Sequence, residues 1–190
     1  AVLQLNRTVT INHIQIPPVP LGGAVVRVLG CGLCGSDVEK YQHRILNAPM
    51  VLGHEVVGTI EALCPQAPKG WQVGQRVAVA HHVPCGHCHY CMHQSPSMCQ
   101  QFKATNITPG GFSQFIAVSQ SHLQHTVFAL PPHLSTPYAS CLEPLACSFR
   151  AIDRLLPMPC STVLVIGLGF MGQLCVQAAQ VQHHYVYGLD

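Results

Sequence analysis

The stretch Val83–Cys99, VPCGHCHYCMHQSPSMC, sets Cys85, Cys88, Cys91 and Cys99 in the pattern C-x2-C-x2-C-x7-C. Tetrahedral zinc takes four soft thiolates at about 2.3 Å, and short spacings let tight turns aim successive sulfurs inward. Gly86 supplies backbone freedom in the first knuckle. Four thiolates leave no open coordination position, so such a zinc is structural and does no chemistry. Disulfides and an iron–sulfur cluster are the competing uses of four thiols. Cysteines separated by two residues are poorly placed to pair with one another, which favours the metal. The nearby His81, His82, His87, His89 and His93 read as loop histidines rather than ligands.

A second group has a different character. CGLCGSD at Cys31–Asp37 and LGHE at Leu52–Glu55 offer a thiol, an imidazole and a carboxylate. A catalytic zinc takes three protein ligands and keeps one position for water or substrate. Cys34, His54 and Glu55, with Glu143 of LEPLAC further along, supply that mixed set. Each also has a plainer reading: Cys34 as a turn cysteine, His54 as a buried hydrogen-bonded histidine, Glu143 as a helix-start acid.

The third group is VLVIGLGFMG, Val163–Gly172, where Gly167, Gly169 and Gly172 follow an apolar strand and open a helix. Gly167 permits the tight turn, Gly169 lets a pyrophosphate approach the backbone, and Gly172 lets helix pack on strand. The helix start, with Phe170 and Met171, then faces the phosphates. Asp190 closes the next strand, near the usual distance of about 20 residues, where an acid binds ribose hydroxyls and repels a 2′-phosphate.

The elements that must position these groups change character along the chain. Short β-branched runs bounded by Gly, Pro or Asn predict strands at 24–30, 56–63, 76–80 and 112–118. VLGCGLCGSD and PGGF read as turns. From Ser135 the rhythm turns helical, with Ser135 or Thr136 as N-cap and Pro137 in the first turn. A buried strand, a glycine turn, a helix and a last strand follow, with a soft boundary near Pro157–Ser161.

Composition narrows the class. Hydrophobic residues make up 48% of the 190 residues, enough for a packed core. Charged residues are 8%, against about 25% in an ordinary domain. Net charge is +2 with no basic cluster, which argues against nucleic acid and anionic membranes as partners. The apolar run at Thr162–Val176 is too short and interrupted to span a bilayer. The start has no leader pattern, so a cytoplasmic protein is expected. Cys31, Cys64, Cys141, Cys147, Cys160 and Cys175 lie among apolar neighbours and read as buried reduced thiols.

Taken in order, CGLCGSD, LGHEVVGTI, GQRVAVAHHVPCGHCHYC, TPGGFSQF, LEPLAC and VLVIGLGFMG resemble the zinc-containing medium-chain alcohol dehydrogenases. EPLA and the Glu55 beside His54 resemble most the polyol branch, the sorbitol or iditol 2-dehydrogenases, with threonine-type and simple alcohol dehydrogenases nearby. The resemblance implies an α/β chain: a β-rich, GroES-like, partly barrel-shaped catalytic domain at 1–156, with its zinc lobe at 84–100. The start of a Rossmann NAD-binding domain follows at 157–190. It implies one catalytic zinc on Cys34, His54 and either Glu55 or Glu143, one structural zinc, NAD as cofactor, a polyol or other small alcohol as substrate, and a homo-oligomer when full length. Ser36 resembles the hydroxyl that passes the alcohol proton onward.

Three positions depart from the family pattern. Glu39 stands where many members carry a relay histidine, Gln75 replaces a common Asp, and QVQHHYV lacks the glycine that often ends the first nucleotide-domain helix. Members continue well past the position of Asp190, and this chain lacks an initiator Met. A fragment that does not turn over alone is therefore expected, and a non-catalytic zinc-stabilised module is the reading from another class.

Overall fold

The computed structural model describes residues 1–43, 48–155 and 158–190. Strands β1 (Val2–Leu3) and β2 (Val9–Thr10) pair antiparallel ahead of the long strand β3 (Ala24–Gly32). Helix α1 (Gly35–His43) precedes β4 (Glu55–Leu63) and β5 (Arg76–Val79). Next come α2 (His89–Met92), a 3-10 turn over Pro96–Met98, α3 (Gln100–Ala104) and β6 (Phe115–Val118). Helix α4 (Gln120–His125), β7 (Val127–Ala129) and α5 (Thr136–Ser140) follow. Helix α6 (Leu142–Arg154), β8 (Thr162–Ile166), α7 (Phe170–Val181) and β9 (Tyr185–Leu189) complete the order. No helix among the described residues is long and apolar enough to cross a membrane.

The chain divides into two compact units, Ala1–Ser140 and Cys141–Asp190. The first is built on a five-stranded antiparallel sheet in the order β6-β3-β4-β5-β7. Alternate β-branched residues point into one core: Val26 on β3, Val56 and Ile60 on β4, Val77 on β5, Ile116 on β6. Their neighbours Val25 and Val57 are also buried, so the start of β3 and of β4 are covered on both faces. β3 runs past its expected end because a register shift between Val28 and Gly30 lets pairing with β4 continue to Gly32. CGLCGSD, expected as part of a turn, is therefore the end of a strand and the start of α1.

In the second unit β8 and β9 pair in parallel, joined through α7. Ile152 of α6 packs with Val163, Ala178 and Ala179, and Phe149 lies against them. α6 thus belongs to this unit, which begins at Cys141. The boundary expected at 156/157 lies on Leu156 and Pro157, outside the described residues. The helical stretch from Ser135 is two helices, parted at Cys141 (φ −77°, ψ −1°). Cys147 and Cys160 are exposed and Cys31, Cys64, Cys141 and Cys175 half-buried, which corrects the expectation of buried thiols. Cys147 sits on an amphipathic helix whose buried positions are Pro144, Ser148 and Ile152.

Where QVQHHYV lacks a glycine, His183 takes φ 64°, the left-handed conformation that usually ends a helix on Gly or Asn. That conformation costs an L-residue roughly 1–2 kcal/mol. His183→Gly should therefore raise stability by up to about 1 kcal/mol after glycine's own entropy is counted, read from urea unfolding midpoints.

α4 starts on a capping box in which Ser119 Oγ accepts from the His122 amide at 3.4 Å and His122 Nδ1 accepts from the Ser119 amide at 3.3 Å. His122 Nε2 lies 3.1 Å from the His81 carbonyl, which only accepts, so the proton sits on Nε2. Burial pushes the His122 pKa below its ordinary 6.5. As pH falls, the unfolded chain takes up this proton before the folded one does. The stability from neutral His122 is thus present above pH 6.5 and lost as pH falls towards the depressed value. His122→Gln should be less stable at about pH 7.5 yet lose less on going to about pH 5, as urea midpoints would record.

Candidate functional site

Cys34, His54 and Glu55 converge at one end of the β3–β4 pair, with their ligating atoms within 4.8 Å of one another. The sheet register brings them there. Gly32, the last residue of β3, pairs with Glu55, the first of β4. Cys34 lies just beyond one strand and His54 just before the other. A Cβ on residue 32 would stand 1.8 Å from Glu55 Oε2, so the carboxylate occupies the space the glycine leaves open. Gly53, at φ +89°, makes the tight entry into β4 that delivers His54.

Asp37, 2% exposed, ties this arrangement together. Its Oδ2 accepts from the Cys34 amide at 3.2 Å and its Oδ1 from the Gly53 amide at 3.3 Å. Oδ1 also faces His54 Nδ1 at 3.6 Å. A carboxylate beside one ring nitrogen orients the imidazole and leaves Nε2 for a metal. The Ser36 amide points at Cys34 Sγ at 3.5 Å from the first turn of α1. Cys31 plays no such part: burial pushes its thiol up to about 12, so it stays protonated. The half-buried Cys34 thiol, the His54 imidazole and the Glu55 carboxylate form a mixed donor set that fits a divalent cation.

A row of rings leads away from the site. His81 stands 4.9 Å from His54 by ring centroids, His82 3.9 Å from His81, and Phe102 4.8 Å from His82. Burial above all pushes His81 down to about 3, which keeps it neutral around its charged surroundings. Sequence reasoning placed His81 and His82 in a loop and did not single out Asp37. The available signal for Asp37 was its position three residues after Cys34, where an acid meets the amides of a helix start.

Cys85, Cys88, Cys91 and Cys99 form a second group within the same 4.8 Å limit. Cys91 Sγ lies 3.9 Å from Cys85 Sγ and 3.6 Å from Cys88 Sγ. A tetrahedron with metal–sulfur bonds of about 2.3 Å has edges of about 3.8 Å, so these thiols fit zinc. The Cys85 amide donates to Cys99 Sγ at 3.5 Å and the Cys88 amide to Cys85 Sγ at 3.3 Å. The Cys85 and Phe102 amides bring Cys99 down to about 6. The His87 and Cys88 amides lower Cys85 too, while burial pushes Cys91 up to about 12. Such amides hold thiolates ready for a cation.

In the second unit Gly167 has φ +92°, and its amide donates to the Leu189 carbonyl at 2.7 Å. A Cβ on residue 172 would lie 1.8 Å from the Gly167 oxygen, while nothing stands within 4 Å of the Cβ positions of Gly167 and Gly169. The loop is closed on its helix side and open above. Gln173 is the first amide to bond back within α7, to Gly169 at 3.0 Å, so the amides of Phe170, Met171 and Gly172 have no acceptor in the helix. That cradle fits a phosphate group. Asp190 Oδ1 accepts from the Leu168 amide at 2.9 Å. Glu143 lies in the first turn of α6, and the Cys147 thiol donates to its Oε1 at 3.6 Å.

Residues 21–131 match the alcohol dehydrogenase GroES-like domain. A sorbitol dehydrogenase from Bacillus subtilis (strain 168) is 32% identical over 187 residues, 95% of this chain and 52% of that protein. The structure of galactitol-1-phosphate dehydrogenase from Escherichia coli superposes with a TM-score of 0.83 at 27% identity, covering 98% of this chain and 54% of that one. That of a short chain alcohol dehydrogenase from Escherichia coli CFT073, complexed with cofactor NADH, gives 0.82 at 28% identity, covering 97% and 55%. The chain belongs to the zinc-containing medium-chain alcohol dehydrogenase family, through its GroES-like domain. It spans about half the length of the curated relatives it matches.

The fit of Glu55 over Gly32 gives a direct test. With Glu55 as the metal's carboxylate, Gly32→Ala should displace that group and lower zinc content by up to about one ion per chain. Gly35→Ala, where a Cβ meets nothing within 4 Å, should leave the zinc content unchanged by elemental analysis.

Proposed function

We propose that this chain carries the metal centre and the opening of the nucleotide site of a zinc- and NAD-dependent dehydrogenase that oxidises a secondary alcohol of a polyol. The observation that carries this reading is the gathering of half-buried Cys34 with buried His54 and Glu55 within 4.8 Å. Three protein ligands leave one position for an alcohol. Likeness to a sorbitol dehydrogenase and a galactitol-1-phosphate dehydrogenase supports the polyol class. Likeness to an NADH-bound dehydrogenase supports NAD, as does Asp190, an acid that repels a 2′-phosphate.

Zinc supplies Lewis acidity towards the alcohol oxygen, and NAD supplies the hydride acceptor. Cys34 and His54 bind the metal, with Glu55 or Glu143 as its carboxylate. Asp37 fixes the Cys34 backbone and faces His54 Nδ1. Ser36 Oγ takes the alcohol proton. Ser36 and Glu39 are both exposed on α1, which lets that proton leave to water without a histidine relay. Cys85, Cys88, Cys91 and Cys99 hold a separate structural zinc. The amides around Gly167, Gly169, Phe170, Met171 and Gly172 bind the pyrophosphate, and Asp190 the ribose hydroxyls. Leu164, Ile166, Tyr185, Tyr187 and Leu189 on β8 and β9 are more than half exposed, which supports reading residues 157–190 as the opening of a larger nucleotide-binding sheet. The GroES-like domain takes the remainder, 1–156, and the whole protein is a cytoplasmic homo-oligomer in this reading.

Metal content separates the two sites. Elemental analysis should give about two zincs per chain, from the two donor groups, and about one in Cys34→Ala. The native protein containing this sequence should reduce NAD with sorbitol or xylitol in preference to threonine or a simple secondary alcohol. Cys34→Ala should cost that activity at least about a hundredfold. One zinc unchanged by the substitution would overturn the catalytic assignment. Two zincs without NAD reduction would leave a zinc-stabilised module.

A further inference from the structure

His89 and His93 stand four residues apart, at the first residue of α2 and at the residue that caps its end. On a helix that spacing puts two side chains on one face, where a histidine pair chelates a transition metal. Both residues are exposed. Their ring centroids are 4.3 Å apart, with the planes inclined by 33°. His93 Nδ1 lies 2.8 Å from the His89 carbonyl oxygen. A carbonyl only accepts, so Nδ1 carries the proton and Nε2 keeps its lone pair in the neutral ring. A ring N–H held by a backbone carbonyl is the usual support of a metal-ligating histidine.

We propose that His89 and His93 form a surface site for a borderline divalent transition-metal ion, of the Ni²⁺ and Cu²⁺ class. This site is separate from the four cysteines and independent of the dehydrogenase reading. Imidazole donors suit Ni²⁺, Cu²⁺ and Zn²⁺, with Cu²⁺ bound most strongly at a given site, whereas thiolates favour zinc. Cys88 and Cys91 belong to the same turn, with their sulfurs 3.6 Å apart. The turn therefore offers soft sulfur donors to one ion and nitrogen donors to another. An ion held by His89 and His93 joins the two ends of α2 and stabilises the turn that carries two of the cysteines. With two protein donors, water completes the coordination, and the ion is held less tightly than in a closed four-ligand site.

The test is calorimetric titration of the zinc-loaded chain, without a histidine tag, with NiCl₂. The expected result is one Ni²⁺ per chain, bound at least about tenfold more weakly in His89→Gln and in His93→Gln, since each removes one of two ligands. His87→Gln and His133→Gln should bind as the unmodified chain does. Zinc content and circular dichroism, measured on every variant, report whether the lobe is still folded. Absence of binding, or binding in either paired variant as tight as in the unmodified chain, overturns the proposal. So does nickel uptake matched by zinc release, which assigns the ion to the cysteines.

Discussion

The pairing of Gly32 with Glu55 is the constraint on which the rest of the candidate site depends. β3 and β4 are each nine residues long and pair from Ala24↔Leu63 to that terminal couple. A slip by one residue would turn Glu55 to the opposite face and remove the glycine beneath its carboxylate. The register is held by Val26, Val56 and Ile60, which lock one face into the core from the middle of the pair up to the residue beside Glu55. The site thus takes its precision from apolar packing together with the contacts that Asp37 makes to Cys34, Gly53 and His54. Register shifts between Val25 and Val26 and between Val28 and Gly30 adjust the pairing that ends on Gly32 and Glu55.

Burial then sets the electrostatics. Asp37, His54 and Glu55 are each at most 9% exposed, in a chain with few charges of any kind. Removing a carboxylate from water costs several kcal/mol unless hydrogen bonds and opposite charge replace the water. Asp37 recovers part of this through the Cys34 and Gly53 amides and through His54. The donor atoms of Cys34, His54 and Glu55 stand within 4.8 Å of one another, where a divalent cation would supply the opposite charge. The same logic governs the cysteine lobe, where amide N–H groups stand in for water around Cys85 and Cys99. In both places the backbone is arranged for anions before any cation arrives.

Much of this was legible in the sequence because some of the chemistry is written in local spacing. The cysteine lobe needs only short turns to bring its sulfurs together, so its pattern sufficed. The glycine loop was likewise readable, since strand, turn and helix are contiguous. Cys34, His54 and Glu55 were legible as residue types, while their meeting depends on a register between strands separated by a long connection. Asp37 escaped because its role lies in backbone amides that no side-chain pattern reveals. α1 escaped too: GSDVEKYQH is polar, buries Asp37 alone among its described positions, and so shows no apolar stripe. Helices α2 to α4 are four to six residues long, too short for a helical period to register.

The two metal groups therefore differ in what can destroy them. The four cysteines span Cys85–Cys99 and are gathered by α2, a 3-10 turn and the start of α3, so their geometry is local. The other set is gathered by a sheet whose strands must all be in place. Loss of core packing anywhere in β6-β3-β4-β5-β7 is felt by Cys34 and Glu55 before it is felt by the lobe. Metal in the lobe would stabilise its own turns, whereas metal at the sheet end would stabilise the pairing of β3 with β4, through ligands on both sides of that pair. The catalytic candidate is thus the more fold-dependent of the two sites. A closed local site can persist in a partly folded chain, but an open one drawn from Cys34 and the separate His54–Glu55 pair requires β3 and β4 to be paired.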